Sequence, residues 1–186
     1  MDSDVWSGIA HKDHPEIVRQ VHEDYIRAGA QVITTNTYST ARHVLESLDL
    51  GDEVRSINTE AVRLAQAARD RAAKGETWIA GSMSSMAPFS SQQEVAAGEK
   101  VADNYQELAE ILAEAGVDLI IAEMMRDAEN ARMVIEAALS TGLPVWIGYS
   151  AMMADDGESV MSWRWKSTLP TGDFGELVET LVPLGG

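Results

Sequence analysis

The feature that most constrains the fold is a repeated succession of amphipathic helix, glycine and short apolar strand. Residues 15–28 (PEIVRQVHEDYIRA) carry apolar side chains at helical spacing, Gly29 follows them, and Val32 and Ile33 begin an apolar strand. Short strands that are apolar on both faces and alternate with helices are typical of an α/β protein with a parallel sheet covered by helices. By the same pattern we predict further helices at 53–74, 100–115, 127–140 and 174–184, and further strands at 77–83, 117–125 and 144–150.

Length and charge limit the classes of protein to which the chain can belong. Its 186 residues are enough for a substantial core, and we predict a single domain over residues 1–186. The formal net charge of −16 repels nucleic acid and anionic membrane surfaces, so we expect neither as a partner. Residues 1–14 lack the apolar core of a signal peptide, and no apolar run approaches the roughly 20 residues that span a bilayer. We therefore expect a cytoplasmic protein.

The sequence offers no pattern for a metal centre or an activated nucleophile. It contains no cysteine, which excludes disulfides, thiolate metal sites and a cysteine nucleophile within this chain. The histidines have no metal-ligand spacing on one face, and neither a phosphate-binding glycine loop nor a GxSxG turn is present. We expect His22, on the first predicted helix, to be a solvated surface residue. We assign no catalytic residue and no metal ligand.

Polar residues follow the ends of all four predicted strands. Because parallel strands end at the same edge of a sheet, we expect these side chains to form one rim, where α/β enzymes bind their ligands. Two irregular stretches, residues 84–99 and 151–173, also follow strand ends. The rim candidates are Thr35, Asn36, Thr37 and Tyr38 after the first strand, Ser82, Ser84 and Ser85 on the second, Glu123 on the third, and Tyr149 and Ser150 on the fourth.

Glu123 is the most informative of these residues. It follows an apolar run, LIIA at 119–122, so its carboxylate is expected at the mouth of an apolar sheet. A buried carboxylate without a partner is costly. Two interpretations remain open: Glu123 contacts a cationic ligand group such as an ammonium, or it forms a salt bridge with Arg126.

The other rim residues also have two interpretations each. The amide of Asn36 can bind a ligand carboxylate or carbonyl, or it can close the strand as an Asx-type turn. The rings of Tyr38 and Tyr149 can form the wall of a pocket or pack in the core.

Several segments resemble the homocysteine S-methyltransferase family. Residues 14–46 contain the family's AGA…ITTNTY succession, and residues 105–138 resemble its AGVDLIxFETIPxxxEA block, with Glu123 at the position of the glutamate. The segment GLPVWIGYS at 142–150 is similar to the family's GLPVWISFS. The matching segments occur in the family's order over nearly the whole chain.

This resemblance implies an eight-stranded (β/α) barrel, to which the chain supplies about four parallel strands, the second to the fifth. The implied reaction is methyl transfer to the homocysteine thiol from a sulfonium, betaine or methyl-folate-type donor. A zinc ion on cysteine thiolates is expected for the family, to bind the thiol and lower its pKa. The implied role of Glu123 is to bind the amino acid's ammonium, and Asn36 carries over to the pocket rim. With Thr37, Tyr149 and Ser150 these residues form the predicted substrate-binding set.

The chain also departs from the family pattern. The opening strand with its DGGMGT loop and the cysteine motifs GxNC and GGCC have no counterpart, so zinc cannot bind here through thiolates. We expect a homocysteine-like amino acid as the small-molecule partner, together with self-association or a completing chain. The first hypothesis is a methyltransferase that is incomplete or inactive as this chain alone. The alternatives are a noncatalytic half-barrel that binds a metabolite or a partner, and an unrelated doubly wound α/β domain. The methyl donor remains open.

Overall fold

The structure is a computed structural model that describes residues 7–85, 99–162 and 174–184. Helices and strands alternate along these residues, as the sequence pattern predicts. The helices are α1 (Ala10–Asp13), α2 (Pro15–Arg27), α3 (Arg42–Leu45), α4 (Val54–Ala72), α5 (Glu99–Ala115), α6 (Ala128–Ser140) and α7 (Phe174–Leu181). The strands are β1 (Val32–Thr34), β2 (Trp78–Ser84), β3 (Leu119–Met125), β4 (Val145–Tyr149), β5 (Ala151–Met153) and β6 (Val160–Ser162).

The first four strands form one parallel sheet in the order β1-β2-β3-β4, which confirms the predicted α/β class. Each strand pairs with the next one along the chain, with Ile33 beside Ile79, Gly81 beside Ile120 and Ile121 beside Trp146. β5 and β6 form an antiparallel hairpin at residues 151–162, part of a stretch that the sequence pattern treated as irregular.

Glycines end helices α2 and α5 at the points that the sequence predicts. Gly29 after α2 has φ +103 and Gly116 after α5 has φ +89, in the left-handed region that other residues avoid. In each case the chain then enters a strand within a few residues. Asp127 caps the N-terminus of α6, where its side chain accepts a 2.8 Å hydrogen bond from the backbone N–H of Asn130.

The core lies between the sheet and helices α4, α5 and α6. It includes Ile79 and Ile120 from the strands and Leu112 and Ile135 from the helices, all fully buried. Gly81 allows α5 to approach β2 closely, because a Cβ placed there would lie 3.1 Å from a methyl carbon of Leu112. Side chains alternate between the two faces of a strand. The neighbours of Gly81 on β2 therefore point to the opposite face of the sheet.

The outer edge of β1 is open over the described residues, and the opposite face of the sheet is exposed in part. Trp78 and Trp146 lie on the face and are 44% and 52% exposed. Beside β1, a groove of about 540 Å³ runs between that strand and α2. Its apolar wall includes Ile17, Val21 and Tyr25, which are exposed to solvent. The apolar stripe that defined α2 in the sequence thus borders the groove.

His22 is buried, so the prediction that it is a surface residue is wrong. Only 8% of it is exposed, and its Nε2 has no hydrogen-bond partner among the described residues. Burial lowers its pKa. The physical reason is the rotation of α2, which buries His22, Glu23 and Ile26, whereas Tyr25 stays exposed. Within the described parts of the chain, no helix is both long enough and apolar enough to cross a membrane.

Candidate functional site

A hydrogen-bond network joins the ends of the first three strands. Thr37 Oγ1 donates to the Ser82 carbonyl oxygen at 2.7 Å, and Thr35 Oγ1 lies 2.7 Å from Thr37 Oγ1. The backbone N–H of Ser82 donates to Thr35 Oγ1 at 3.1 Å. Ser82 Oγ then donates to Glu123 Oε1 at 2.7 Å. These bonds place the predicted site residues Thr37 and Glu123 in one connected cluster, with the hydroxyl of Thr37 fully buried inside it.

Glu123 is a half-buried residue at this rim. It stands beside Ser84 in the parallel pairing of β2 and β3. Among the described residues the carboxylate forms no ion pair, so the salt bridge with Arg126 considered from the sequence is not formed there. The Ser82 hydroxyl compensates part of the lost hydration but brings no positive charge. The carboxylate therefore suits a cationic group from a ligand.

The backbone turns sharply directly after Glu123. Met124 has φ +57, and the pairing of β3 with β4 shifts between Ala122 and Met125. A left-handed conformation in a residue other than glycine costs roughly 1–2 kcal/mol, and such strain often occurs at functional sites. The Tyr38 hydroxyl lies 3.1 Å from the Met124 sulfur and is the donor to it. Tyr38 thus packs across the rim, and burial raises its pKa.

Asn36 turns its amide towards the segment that precedes α2. Its Nδ2 donates to the Ser7 carbonyl oxygen at 2.7 Å and lies 3.3 Å from His11 Nδ1. These long-range contacts differ from the local Asx-type turn considered from the sequence. They engage Asn36 Nδ2, the group that would bind a ligand carboxylate, and ligand binding by Asn36 stays a prediction. Asn36 is half-buried and borders the groove beside β1.

Tyr149 and Ser150 lie at the end of β4. The Tyr149 ring packs edge-on against Phe174, with centroids 6.0 Å apart, and its buried hydroxyl has no partner among the described residues. Burial raises the pKa of Tyr149. The backbone N–H of Ser150 donates to the Met125 carbonyl oxygen at 3.0 Å. Over the described ranges, no side-chain hydrogen bond connects Asn36, Tyr149 or Ser150 to the cluster around Glu123.

Sequence reasoning missed His11 as a residue of the site. It is 1% exposed, its Nε2 lies 2.8 Å from the Ile57 carbonyl oxygen, and burial lowers its pKa. No periodic signal could have shown this, because α1 has only four residues and lies outside the repeated pattern. Ser82 was among the rim candidates, but its bond to Glu123 depends on strand register, which the sequence pattern did not fix.

The residues present do not fit the zinc site that the family resemblance implies. That site uses thiolates, and the chain has no cysteine. In the described part of the chain, no group of three or more histidine, aspartate or glutamate side chains could hold a metal ion. No chemical step can therefore be derived through a metal bound by these residues.

Comparisons with known proteins give a consistent result. The family model described as homocysteine S-methyltransferase matches residues 1–171. Betaine–homocysteine S-methyltransferase 1 of Danio rerio is 31% identical over 142 residues, and that of Bos taurus is 32% identical over 144 residues. An S-methylmethionine–homocysteine S-methyltransferase of Pongo abelii is 29% identical over 141 residues. These matches cover 75%, 75% and 76% of the chain but only 34%, 34% and 36% of the relatives. The chain thus spans about a third of their length.

Solved structures show the same fold. The metallated form of the homocysteine methyltransferase MmuM from Escherichia coli superposes with a TM-score of 0.73 at 20% identity. That match covers 100% of this chain and 65% of the other. The oxidized form of MmuM gives a TM-score of 0.65 at 22% identity, over 80% of this chain and 56% of the other. At these identities the likeness shows the fold alone, and it confirms the predicted α/β class.

Proposed function

Because the chain belongs to the homocysteine S-methyltransferase family, we propose that its rim binds the amino-acid end of homocysteine or a similar thiol amino acid. The observation that carries the proposal is half-buried Glu123, whose carboxylate is bonded to Ser82 Oγ and forms no ion pair among the described residues. A ligand ammonium would supply the missing positive charge. Asn36, Thr37, Tyr149 and Ser150 complete the proposed substrate-binding set.

Electrostatics favours an ammonium as the ligand group that the Glu123 carboxylate binds. An opposite charge within about 4–6 Å favours the ionised carboxylate and offsets its lost hydration. The strained turn at Met124 follows directly, which indicates that the local backbone is held in a position that the strand alone would not adopt. The position of Glu123 at a strand's carboxyl end matches where barrel enzymes bind substrates.

The proposed reaction is methyl transfer to the thiol, and this chain supplies only part of its machinery. The agent that activates the thiol is a metal in the family, and the residues here do not fit one. We therefore propose that transfer requires groups from outside these residues, through self-association or a completing chain. The open groove beside β1 and the exposed Trp146 support that requirement, because both leave apolar surface uncovered.

The methyl donor is not assigned. The relatives are named for betaine and S-methylmethionine, and nothing in the rim distinguishes these donors. We also propose a place in methionine biosynthesis and a cytoplasmic location.

The second candidate is a noncatalytic half-barrel that keeps the amino-acid rim and acts in binding. The absence of cysteine from the sequence favours it as an account of the chain on its own. Both candidates share the rim, and they differ in whether chemistry follows binding.

One experiment separates them. The purified chain is assayed for zinc content, for L-homocysteine binding by calorimetry, and for methyl transfer from betaine and from S-methylmethionine. We expect homocysteine binding without stoichiometric zinc and without transfer. Zinc and transfer at rates normal for the family would refute the account of an incomplete site, and absence of homocysteine binding would refute the rim proposal.

A further inference from the structure

Two backbone carbonyl groups fix the proton positions in two neighbouring side chains, those of buried His11 and half-buried Asn36. Carbonyl oxygens only accept hydrogen bonds. Since His11 Nε2 lies 2.8 Å from the Ile57 carbonyl oxygen, Nε2 must carry the proton. Since the Asn36 amide lies 2.7 Å from the Ser7 carbonyl oxygen, the atom at that position must be Nδ2. An imidazole turned by 180° would place Cε1 where Nε2 lies and would lose the hydrogen bond to Ile57.

The remaining contact follows from these assignments. A neutral imidazole with a protonated Nε2 has a bare Nδ1, which accepts a hydrogen bond. Nδ1 lies 3.3 Å from Asn36 Nδ2, so it receives the second amide hydrogen. Burial lowers the pKa of His11, which keeps the ring in this neutral form at pH 7. Each hydrogen bond of this chain therefore has a fixed donor. Asn36 Nδ2 donates to the Ser7 carbonyl oxygen and to His11 Nδ1, and His11 Nε2 donates to the Ile57 carbonyl oxygen.

The chain of bonds leaves Asn36 with one available group. Both hydrogens of Nδ2 are used within the protein, and Oδ1 alone can contact a ligand. A rotated amide would place Oδ1 against the Ser7 oxygen and against bare Nδ1, losing two bonds and opposing like partial charges. Asn36 is half-buried, so part of it stays within reach of a ligand.

We infer that His11 is a positioning residue that locks Asn36 as a hydrogen-bond acceptor, so that this position selects ligands that present an N–H group, such as an amino acid's ammonium, over ligands that present a carboxylate. The inference rests on the proposed function for the identity of the ligand. The fixed orientation of the Asn36 amide, which we call the lock, rests only on the contacts of His11 and Asn36.

Two variants test the lock. His11→Gln keeps a donor and an acceptor on one planar group, whereas His11→Leu removes both. The probes are L-homocysteine and 4-mercaptobutanoate, which lacks the amino group, titrated into the full chain. For the wild type and His11→Gln we expect L-homocysteine to bind about tenfold or more tightly than 4-mercaptobutanoate. For His11→Leu we expect that preference to fall by about threefold to tenfold.

Nitrogen-15 spectra of the imidazole supply a readout that needs no ligand. We expect His11 in the wild type to carry its proton on Nε2 with Nδ1 unprotonated at pH 7.5. A proton on Nδ1, or an unchanged preference in a folded His11→Leu variant, would overturn the inference. If neither probe binds the wild type, the proposed function fails together with ligand selection, while the imidazole spectrum still decides whether His11 offers Asn36 an unprotonated Nδ1.

Discussion

Ser82 Oγ donates a 2.7 Å hydrogen bond to Glu123 Oε1, and this contact connects the carboxyl ends of β2 and β3. Ser82 is 1% exposed, so its hydroxyl has no access to bulk water. Its own carbonyl oxygen accepts from Thr37 Oγ1 at 2.7 Å, which extends the connection to the chain after β1. Ser82 thus helps to hold the Glu123 carboxylate, the group that we propose binds the ligand ammonium, in position.

We expect Ser82→Ala to destabilise the fold by about 1–3 kcal/mol, because a half-buried carboxylate loses its donor. The measurement is urea-induced unfolding at pH 7.5. Ser47→Ala is the control, since Ser47 is exposed and its hydroxyl bonds only the nearby Val44 carbonyl oxygen. Equal costs for the two substitutions would show that the Glu123 contact contributes nothing to stability.

The close approach of α5 to β2 gives a second prediction. A Cβ at Gly81 would lie 3.1 Å from Leu112 Cδ1 and 3.3 Å from Val117 Cγ2, so we expect Gly81→Ala to cost about 1–3 kcal/mol through overpacking. Gly148→Ala is the matched control, because its Cβ would come no closer than 3.6 Å to the nearest atom, the Ala122 carbonyl oxygen. Thermal unfolding compares them. A Gly81→Ala variant as stable as Gly148→Ala would contradict this packing.

The burial of His11 and His22 leads us to predict how the free energy of unfolding changes with pH. Burial holds the pKa values of His11 and His22 below 6.5 in the folded chain. The unfolded chain, with pKa values near 6.5, therefore takes up protons first as the pH falls. The free energy of unfolding should be fully retained above about pH 6.5 and should decrease from there towards pH 5.

The measurement for this prediction is urea-induced unfolding at several pH values between 5 and 8. The decrease should be smaller in His11→Gln and in His22→Gln, and smallest in the double variant. If both substitutions leave the pH profile of the wild type unchanged, these histidines are not the groups responsible.

The exposed apolar wall of α2 predicts association. Ile17 and Tyr25 line the groove beside β1 and are 61% and 64% exposed, next to a strand edge whose outer side pairs with no other described strand. We expect sedimentation of the chain to depend on concentration, with Tyr25→Lys shifting it towards monomer. Gln20→Lys adds the same charge to the same helix and should have little effect. A wild type that stays monomeric at every concentration would contradict the expectation.

The sequence was sufficient for the order of elements and for the parallel sheet. Helix-ending glycines such as Gly29 and Gly116 are local signals, and apolar strands report burial on both faces. The rotation of α2 was not predictable, because an apolar stripe indicates an interface without identifying what covers it. The prediction that His22 is a surface residue is wrong for that reason.

The candidate site was predicted only in part. Strand ends correctly located Thr37 and Glu123 near each other, since parallel strands share an edge. The hydrogen-bond partners depend on register and on contacts distant in sequence, such as His11 with Ile57 at a separation of 46 residues. The turn at Met124 could not be predicted from the sequence either, because methionine has no preference for a left-handed backbone.

The central claim is that the Glu123 carboxylate receives the ammonium of a homocysteine-like amino acid. The most direct measurement is calorimetric titration of L-homocysteine into the wild-type chain and into Glu123→Gln, with unfolding curves to confirm that both are folded. We predict binding to the wild type that weakens about tenfold or more in Glu123→Gln, because the amide keeps the shape and loses the charge. Equal affinity in the two folded proteins would contradict the claim.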